Sequence, residues 1–117
     1  MSQPITWVFE TAILPGQLEA FQAVRAQLIE QSKAESGVLV YEWFLSEDKM
    51  TCHVLESYKD SEAILLHLKA FGPFVEPLMK ASRPIALNIY GAVNDEVKAA
   101  LAALSPTYFA STGGFRR

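Results

Sequence analysis

Ionisable side chains interrupt the predicted strands and helix between Gly37 and His67, where a purely structural sheet would carry aliphatic residues. Glu56 stands in an otherwise apolar series on a strand, and His67 follows the apolar side of the next helix. A carboxyl group in an apolar cavity has a raised pKa and can act as a base. An imidazole can move a proton or orient a substrate oxygen near neutral pH. Glu56 and His67 are therefore candidate catalytic residues for acid–base chemistry.

Both residues also have a structural interpretation, which the sequence leaves open. Glu56 can be satisfied by a helix N-terminus or by an arginine such as Arg25 or Arg83, since buried carboxylates usually have such partners. His67 can equally lie on the outer surface of its helix.

The polar segment 46–49 predicts a β-hairpin, and pairing Leu45 with Met50 divides the hairpin residues between two faces. The more aromatic set is predicted to lie under the helices: Leu39, Tyr41, Trp43, Cys52, Val54, Glu56 and Tyr58. The other set is predicted to face away from them: Val38, Val40, Glu42, Phe44, Thr51, His53, Leu55 and Ser57. Glu42 and His53 would then form a cross-strand ion pair at a subunit interface.

Six aromatic residues are predicted to lie in the interior: Trp7, Phe9, Tyr41, Trp43, Phe71 and Phe74. A dense core explains such a set, and a flat apolar ligand pocket would give the same pattern. A small aromatic or hydrophobic ligand is the expected partner, with Trp7 and Phe71 as candidate substrate-binding residues.

Composition excludes several other classes of protein. A net charge of −3, without a basic cluster before Arg116, gives no surface for nucleic acid. One cysteine, and two histidines without a carboxylate cluster at ligand spacing, predict no metal site. No Gly-rich phosphate loop is present, so flavin, nicotinamide and nucleotide cofactors are not predicted. Without a signal peptide or a long apolar run, we expect a cytoplasmic protein that does not associate with membranes.

Hydrophobic periodicity and turn signals define the elements that must position these residues. Strands are predicted over 4–14, 38–45, 50–58 and 83–93, and helices over 17–35, 61–71, 74–81 and 96–104. Asp60 or Ser61 is predicted to cap the second helix, and Gly37 to provide a left-handed end to the first. The remaining tail can be a fifth strand or an arm.

The order β-α-β-β-α-β is that of the ferredoxin-like, split βαβ fold of the α+β class. It predicts a four-stranded antiparallel sheet with helices on one face only. In so apolar a chain, the side chains on the other face of the sheet would be exposed to solvent in a monomer. A second copy, packed sheet against sheet in an isologous homodimer, would bury them.

The order and spacing of nine residues resemble the antibiotic biosynthesis monooxygenase (ABM) domain family: Gly37, Tyr41, Glu42, Glu56, Tyr58, Asp60, Glu62, Ala63 and His67. The likeness covers about residues 4–93. We therefore expect residues 1–93 to form an ABM-like domain. Residues 94–117 would add a C-terminal helix and an aromatic arm, packed on the same domain or on the partner subunit.

The resemblance implies a dimeric α/β barrel that oxygenates quinol-like or polycyclic aromatic substrates without metal, flavin or haem. In such enzymes the substrate anion itself reacts with O₂. On this basis His67 and Glu56 would assist proton removal. Trp43 and Tyr58 would line the cavity, and Asn88 would hold a substrate oxygen.

Three other functions are compatible with this fold. A haem-degrading branch shares it, but the position of its axial histidine corresponds to Glu76-Pro77 here, so haem degradation is not expected. A non-catalytic dimeric protein that binds a small hydrophobic ligand is one alternative. An isomerase or cyclase acting on a polyketide-like substrate is another.

Overall fold

The predicted order of elements is present, with several ends shifted by a few residues, in the computed structural model, which describes residues 3–117. The strands are β1 (Ile5–Ile13), β2 (Val38–Leu45), β3 (Thr51–Tyr58), β4 (Ser82–Tyr90) and β5 (Thr107–Phe109). The helices are α1 (Leu18–Lys33), α2 (Ser61–Phe71), α3 (Val75–Ala81) and α4 (Asp95–Leu101). Single 3₁₀ turns, Gly72–Phe74 and Ala102–Leu104, follow α2 and α4.

The strands form one sheet in the order β2-β3-β1-β4-β5, with the helices packed on one face. The ferredoxin-like α+β fold is confirmed. Neighbouring strands are antiparallel except β4 and β5, which are parallel. The predicted four-stranded antiparallel sheet is therefore a five-stranded mixed sheet, because residues after α4 return along β4 and add an edge strand.

The hairpin register differs from the predicted one by two residues. Leu45 lies opposite Cys52, not Met50, and the backbone N–H of Ser46 donates to the carbonyl of Thr51 at 2.9 Å. Because side chains alternate with a period of two, this shift leaves most residues on their predicted faces.

The same shift separates Glu42 from His53, and the predicted ion pair between them is wrong. Glu42 lies opposite Leu55, whereas His53 lies opposite Glu10 on β1. The His53 Nε2 atom is 3.6 Å from Glu10 Oε1 on the uncovered face of the sheet.

A bulge at the start of β2 reverses two further predicted positions. Val38 lies opposite Tyr58 and Val40 opposite Ser57, which leaves Leu39 as the extra residue. Val38 therefore packs against the core, and Leu39 is 51% exposed.

Gly37 is required by close packing, not by a left-handed helix end. Its backbone lies outside the left-handed region, and α1 ends with Ala34 in a right-handed conformation. A Cβ atom at Gly37 would lie 2.5 Å from the Cβ of Ala63, in the first turn of α2. This contact sets how closely α2 approaches the start of β2.

Two side-chain caps begin the helices that flank the core. The Asp60 Oδ1 atom accepts from the N–H of Ala63 at 2.8 Å, which confirms the first of the two predicted caps for α2. Asn94 Oδ1 accepts from the N–H of Val97 at 2.9 Å and begins α4. Within residues 3–117, no helix is both long and apolar enough to cross a membrane.

Candidate active site

A cavity of about 400 Å³ lies between the sheet and the helices, within the size range of small-molecule sites. β1 to β4, α2, α3 and the end of α4 all contribute to its wall. The wall is largely apolar and includes Trp7, Phe9, Trp43, Val54, Leu68, Phe71, Leu78, Leu87 and Leu101. Its ionisable groups are few, and they cluster where α2 faces β2 and β3.

His67 lies in the wall of this cavity on the inner side of α2. It is 3% exposed, so the helix-surface interpretation does not hold. The rings of Tyr41, Tyr58 and Phe71 surround the imidazole, with centroid separations of 5.3, 5.4 and 6.1 Å. The Asp60 cap fixes the start of α2, and the three ring contacts fix the orientation of the imidazole on that helix.

A chain of four polar groups runs through the imidazole. Glu35 Oε1, from the turn after α1, lies 3.1 Å from His67 Nδ1. The other ring nitrogen, Nε2, lies 3.8 Å from Glu56 Oε1. The Tyr58 hydroxyl donates a short hydrogen bond to the same Glu56 oxygen. Side chains from β3 and from the turn after α1 therefore converge on His67.

Glu56 is stabilised by these neighbours and not by an arginine. It is 6% exposed, and among residues 3–117 its ion-pair partner is His67, not the suggested Arg25 or Arg83. Burial raises the pKa of Glu56 to about 7, and the hydrogen bond from Tyr58 partly opposes this shift. A carboxyl group in this range can both accept and release a proton near neutral pH.

The imidazole is held as a neutral base. Burial lowers the pKa of His67, while the charge of Glu35 and its hydrogen bond oppose the shift. A carboxylate only accepts hydrogen bonds, so the contact with Glu35 assigns the proton to Nδ1 and leaves the Nε2 lone pair free. Burial and the nearby Glu56 charge raise the pKa of Tyr58, so its phenol remains protonated.

The cavity brings together most of the predicted site residues. His67, Glu56, Trp7, Trp43 and Phe71 all line it. These five side chains come from four different elements.

Tyr58 and Asn88 lie outside the cavity wall. Tyr58 is fully buried behind the cavity wall, where it donates to the Glu56 carboxyl group and packs its ring against His67. Asn88 lies opposite Val8 on β1, between Leu87 and Ile89, whose side chains face the core. Its side chain is therefore on the uncovered face of the sheet, and the expected contact with a substrate oxygen in the cavity is wrong.

Three polar residues near the site were not predicted: Glu35, Thr11 and Ser82. Alternation along β1 could have indicated Thr11, which shares the inward face with Trp7 and Phe9. Glu35 has no local signal, because its role depends on a contact with a residue 32 positions away. Within residues 3–117, no group of three or more His, Cys, Asp or Glu is placed to hold a metal ion.

The chain belongs to the antibiotic biosynthesis monooxygenase family, whose model matches residues 4–81. Its fold is similar to that of MupZ from Pseudomonas fluorescens, with 24% identity and a TM-score of 0.88 over 98% of this chain and 95% of that one. It is also similar to SnoaB, a cofactor-independent oxygenase from Streptomyces nogalater, with 17% identity and a TM-score of 0.68. That match covers 80% of this chain and 96% of SnoaB. A search of curated proteins finds no match.

Proposed function

We propose that this protein is a cofactor-independent monooxygenase that oxidises a quinol-like or polycyclic aromatic substrate with O₂. The observation that carries the proposal is a neutral imidazole, fixed by Glu35, in the wall of an apolar cavity of about 400 Å³. Membership in the monooxygenase family and the similar fold of SnoaB support the same reaction class.

Proton removal is the step that the side chains perform. The free Nε2 of His67 takes a proton from an acidic hydroxyl or from an activated CH₂ group of the substrate. The resulting imidazolium lies between the carboxyl groups of Glu35 and Glu56, at 3.1 and 3.8 Å, and these stabilise its charge. The apolar wall excludes water from the substrate anion.

The oxygen step then needs no electrons from outside the substrate. The carbanion passes one electron to O₂, and the substrate radical and superoxide combine to form a C–O bond. The resulting peroxide takes the proton from the imidazolium. Its O–O bond then breaks as the second C–H proton leaves, and water is released. Overall a CH₂ group and O₂ become a carbonyl group and water, with O₂ as the four-electron oxidant.

A homodimer completes the proposed assembly. The sheet face away from the helices carries exposed Phe44, Tyr90 and Phe109, with exposures of 52%, 40% and 44%. The Tyr90 and Phe109 rings stack at 5.2 Å and extend the apolar surface to the edge strand. A second copy packed on this face would cover these residues.

Oxygen uptake with a panel of anthrones and quinols tests the proposal. We expect His67→Gln to lower the rate about 10²- to 10⁴-fold, the usual contribution of a general base, while ligand binding persists. His53→Gln is the matched control, because this second histidine lies on the other face of the sheet. Binding without uptake by the wild type would instead indicate a ligand-binding protein. Unchanged uptake by His67→Gln would remove His67 from the mechanism.

A further inference from the structure

Thr11, a residue of the cavity wall at some distance from His67, carries a buried hydroxyl group without a hydrogen-bond partner. Thr11 is 1% exposed, and its Oγ1 atom has no hydrogen-bond partner among residues 3–117. Buried hydroxyls are almost always hydrogen-bonded, because an unpaired one destabilises the fold. An unpaired hydroxyl on a cavity wall is therefore a group that a ligand can satisfy.

Strand register places Thr11 at the opposite end of the cavity from the acid–base chain. Along the inward face of β1, Trp7 lies opposite Glu56, and Thr11 lies opposite Cys52. At about 3.3 Å per residue, the Cα atoms of Trp7 and Thr11 are about 13 Å apart. Phe9 lies between them in the wall, so an apolar stretch separates the two polar ends.

Ser82 supplies a second hydroxyl near the Thr11 end. It is 2% exposed, lies in the cavity wall, and donates its proton to the Leu78 carbonyl at 3.0 Å. Its oxygen can therefore only accept a further hydrogen bond. Ser82 begins β4, two residues before Pro84, which lies opposite Thr11. A β-bulge follows Pro84, as is common next to binding sites.

We propose that Thr11 and Ser82 form a distal polar subsite that binds a hydroxyl group at the far end of an elongated aromatic ligand. A phenolic hydroxyl satisfies both residues, since it accepts from Thr11 and donates to Ser82. A carbonyl satisfies Thr11 alone. The inference rests on the proposed function, because the reacting end of the same ligand lies at His67. Within the proposed substrate class, it favours ligands that carry a hydroxyl group at the end away from His67.

Ligand affinity tests this subsite independently of turnover. The probes are anthraflavic acid, a linear three-ring quinone with a hydroxyl on each terminal ring, and its analogue with one such hydroxyl. Quenching of Trp7 and Trp43 fluorescence reports binding, since both rings line the cavity. We expect the dihydroxy compound to bind the wild type about 10-fold more tightly, and Thr11→Val to abolish that preference. Thr11→Ser, which keeps the hydroxyl, should preserve it.

Thr6→Val is the control for the substitution itself, because it removes a hydroxyl on the opposite face of the same strand, where Thr6 Oγ1 lies 3.2 Å from Ser57 Oγ. Thr11→Val should fold normally, since valine fills the same space without an unpaired hydroxyl, and thermal unfolding checks this. Any of three results would overturn the subsite. The wild type could show no preference for the dihydroxy probe, Thr11→Val could keep that preference unchanged, or neither probe could bind. If the preference depends on Thr11 but no oxygen is consumed, the subsite stands and the proposed oxygenation fails.

Discussion

Glu35 and His67 are separated by 32 positions in the sequence, and yet Glu35 Oε1 lies 3.1 Å from His67 Nδ1. The contact joins the turn after α1 to the inner side of α2, and both side chains are largely buried. The Glu35 carboxylate thus keeps the proton on Nδ1, and the other ring nitrogen, Nε2, faces the carboxyl group of Glu56. The acid–base properties of the cavity depend on this pair.

Replacement of Glu35 by glutamine should slow oxygen uptake and shift its pH dependence. The amide can still accept from Nδ1, but it no longer stabilises the imidazolium, so we expect a rate loss of about 10- to 100-fold. The charge of Glu35 raises the pKa of His67 against the effect of burial, so its removal lowers that pKa further. Because the base must be neutral, the acidic limb of the pH–rate profile should move to lower pH.

Glu30→Gln is the control for this prediction. Glu30 lies on α1, shortly before Glu35 in the sequence. Its carboxylate pairs with Lys33 at the exposed surface, at 2.9 Å. NMR titration of the His67 ring should show the same downward shift in Glu35→Gln alone. An unmoved His67 titration would contradict the assigned contact even if the rate falls.

Glu56→Gln should stabilise the protein at neutral and alkaline pH. The folded-state pKa of Glu56 is raised from its ordinary 4.5 to about 7, so the folded state binds this proton more tightly than the unfolded chain. The wild type therefore loses stability as pH rises through that interval, by an amount of the order of 3 kcal/mol. Urea unfolding at about pH 5 and about pH 8 should show the advantage of the variant growing with pH. A difference between variant and wild type that does not change with pH would contradict this prediction.

Gly37→Ala should destabilise the fold because of its contact with α2. The new Cβ would lie 2.5 Å from the Cβ of Ala63, and we expect a loss of about 1–3 kcal/mol in the free energy of unfolding. The double variant with Ala63→Gly should recover part of this loss. Gly72→Ala is the control, since a Cβ atom there would meet nothing within 4 Å and the backbone is helical. Equal effects of Gly37→Ala and Gly72→Ala would exclude the close approach as the cause.

Phe44→Glu should convert the proposed dimer into a monomer. Phe44 is 52% exposed on the uncovered sheet face, where an introduced charge would be buried without a partner. Light scattering coupled to size exclusion would report the change in mass. Leu66→Glu is the control, because Leu66 is 64% exposed on α2 and lies outside the sheet. A wild-type monomer, or equal masses for the wild type and Phe44→Glu, would contradict the sheet-to-sheet dimer.

Local patterns in the sequence determined the elements and much of what faces the cavity. Hydrophobic periodicity reports which side of a strand or helix is apolar, so Trp43 and Glu56 could be placed toward the interior without any long-range information. For His67 the sequence left the interior and the helix surface equally open, and the structure decided for the interior. The cap at Asp60 is equally local, because it joins residues three positions apart.

Tertiary structure alone decided how these elements meet. The observed hairpin register differs from the predicted one by two residues, so Glu42 does not lie opposite His53, which lies opposite Glu10 on β1. Register depends on the full set of strand contacts, which the hairpin sequence does not contain. The return of the chain as β5 depends on an edge that β4 leaves open. The approach of Glu35 to His67 requires α1, α2 and the sheet to be packed together first. Periodicity shows which way a side chain faces, but only packing brings distant side chains within hydrogen-bonding distance.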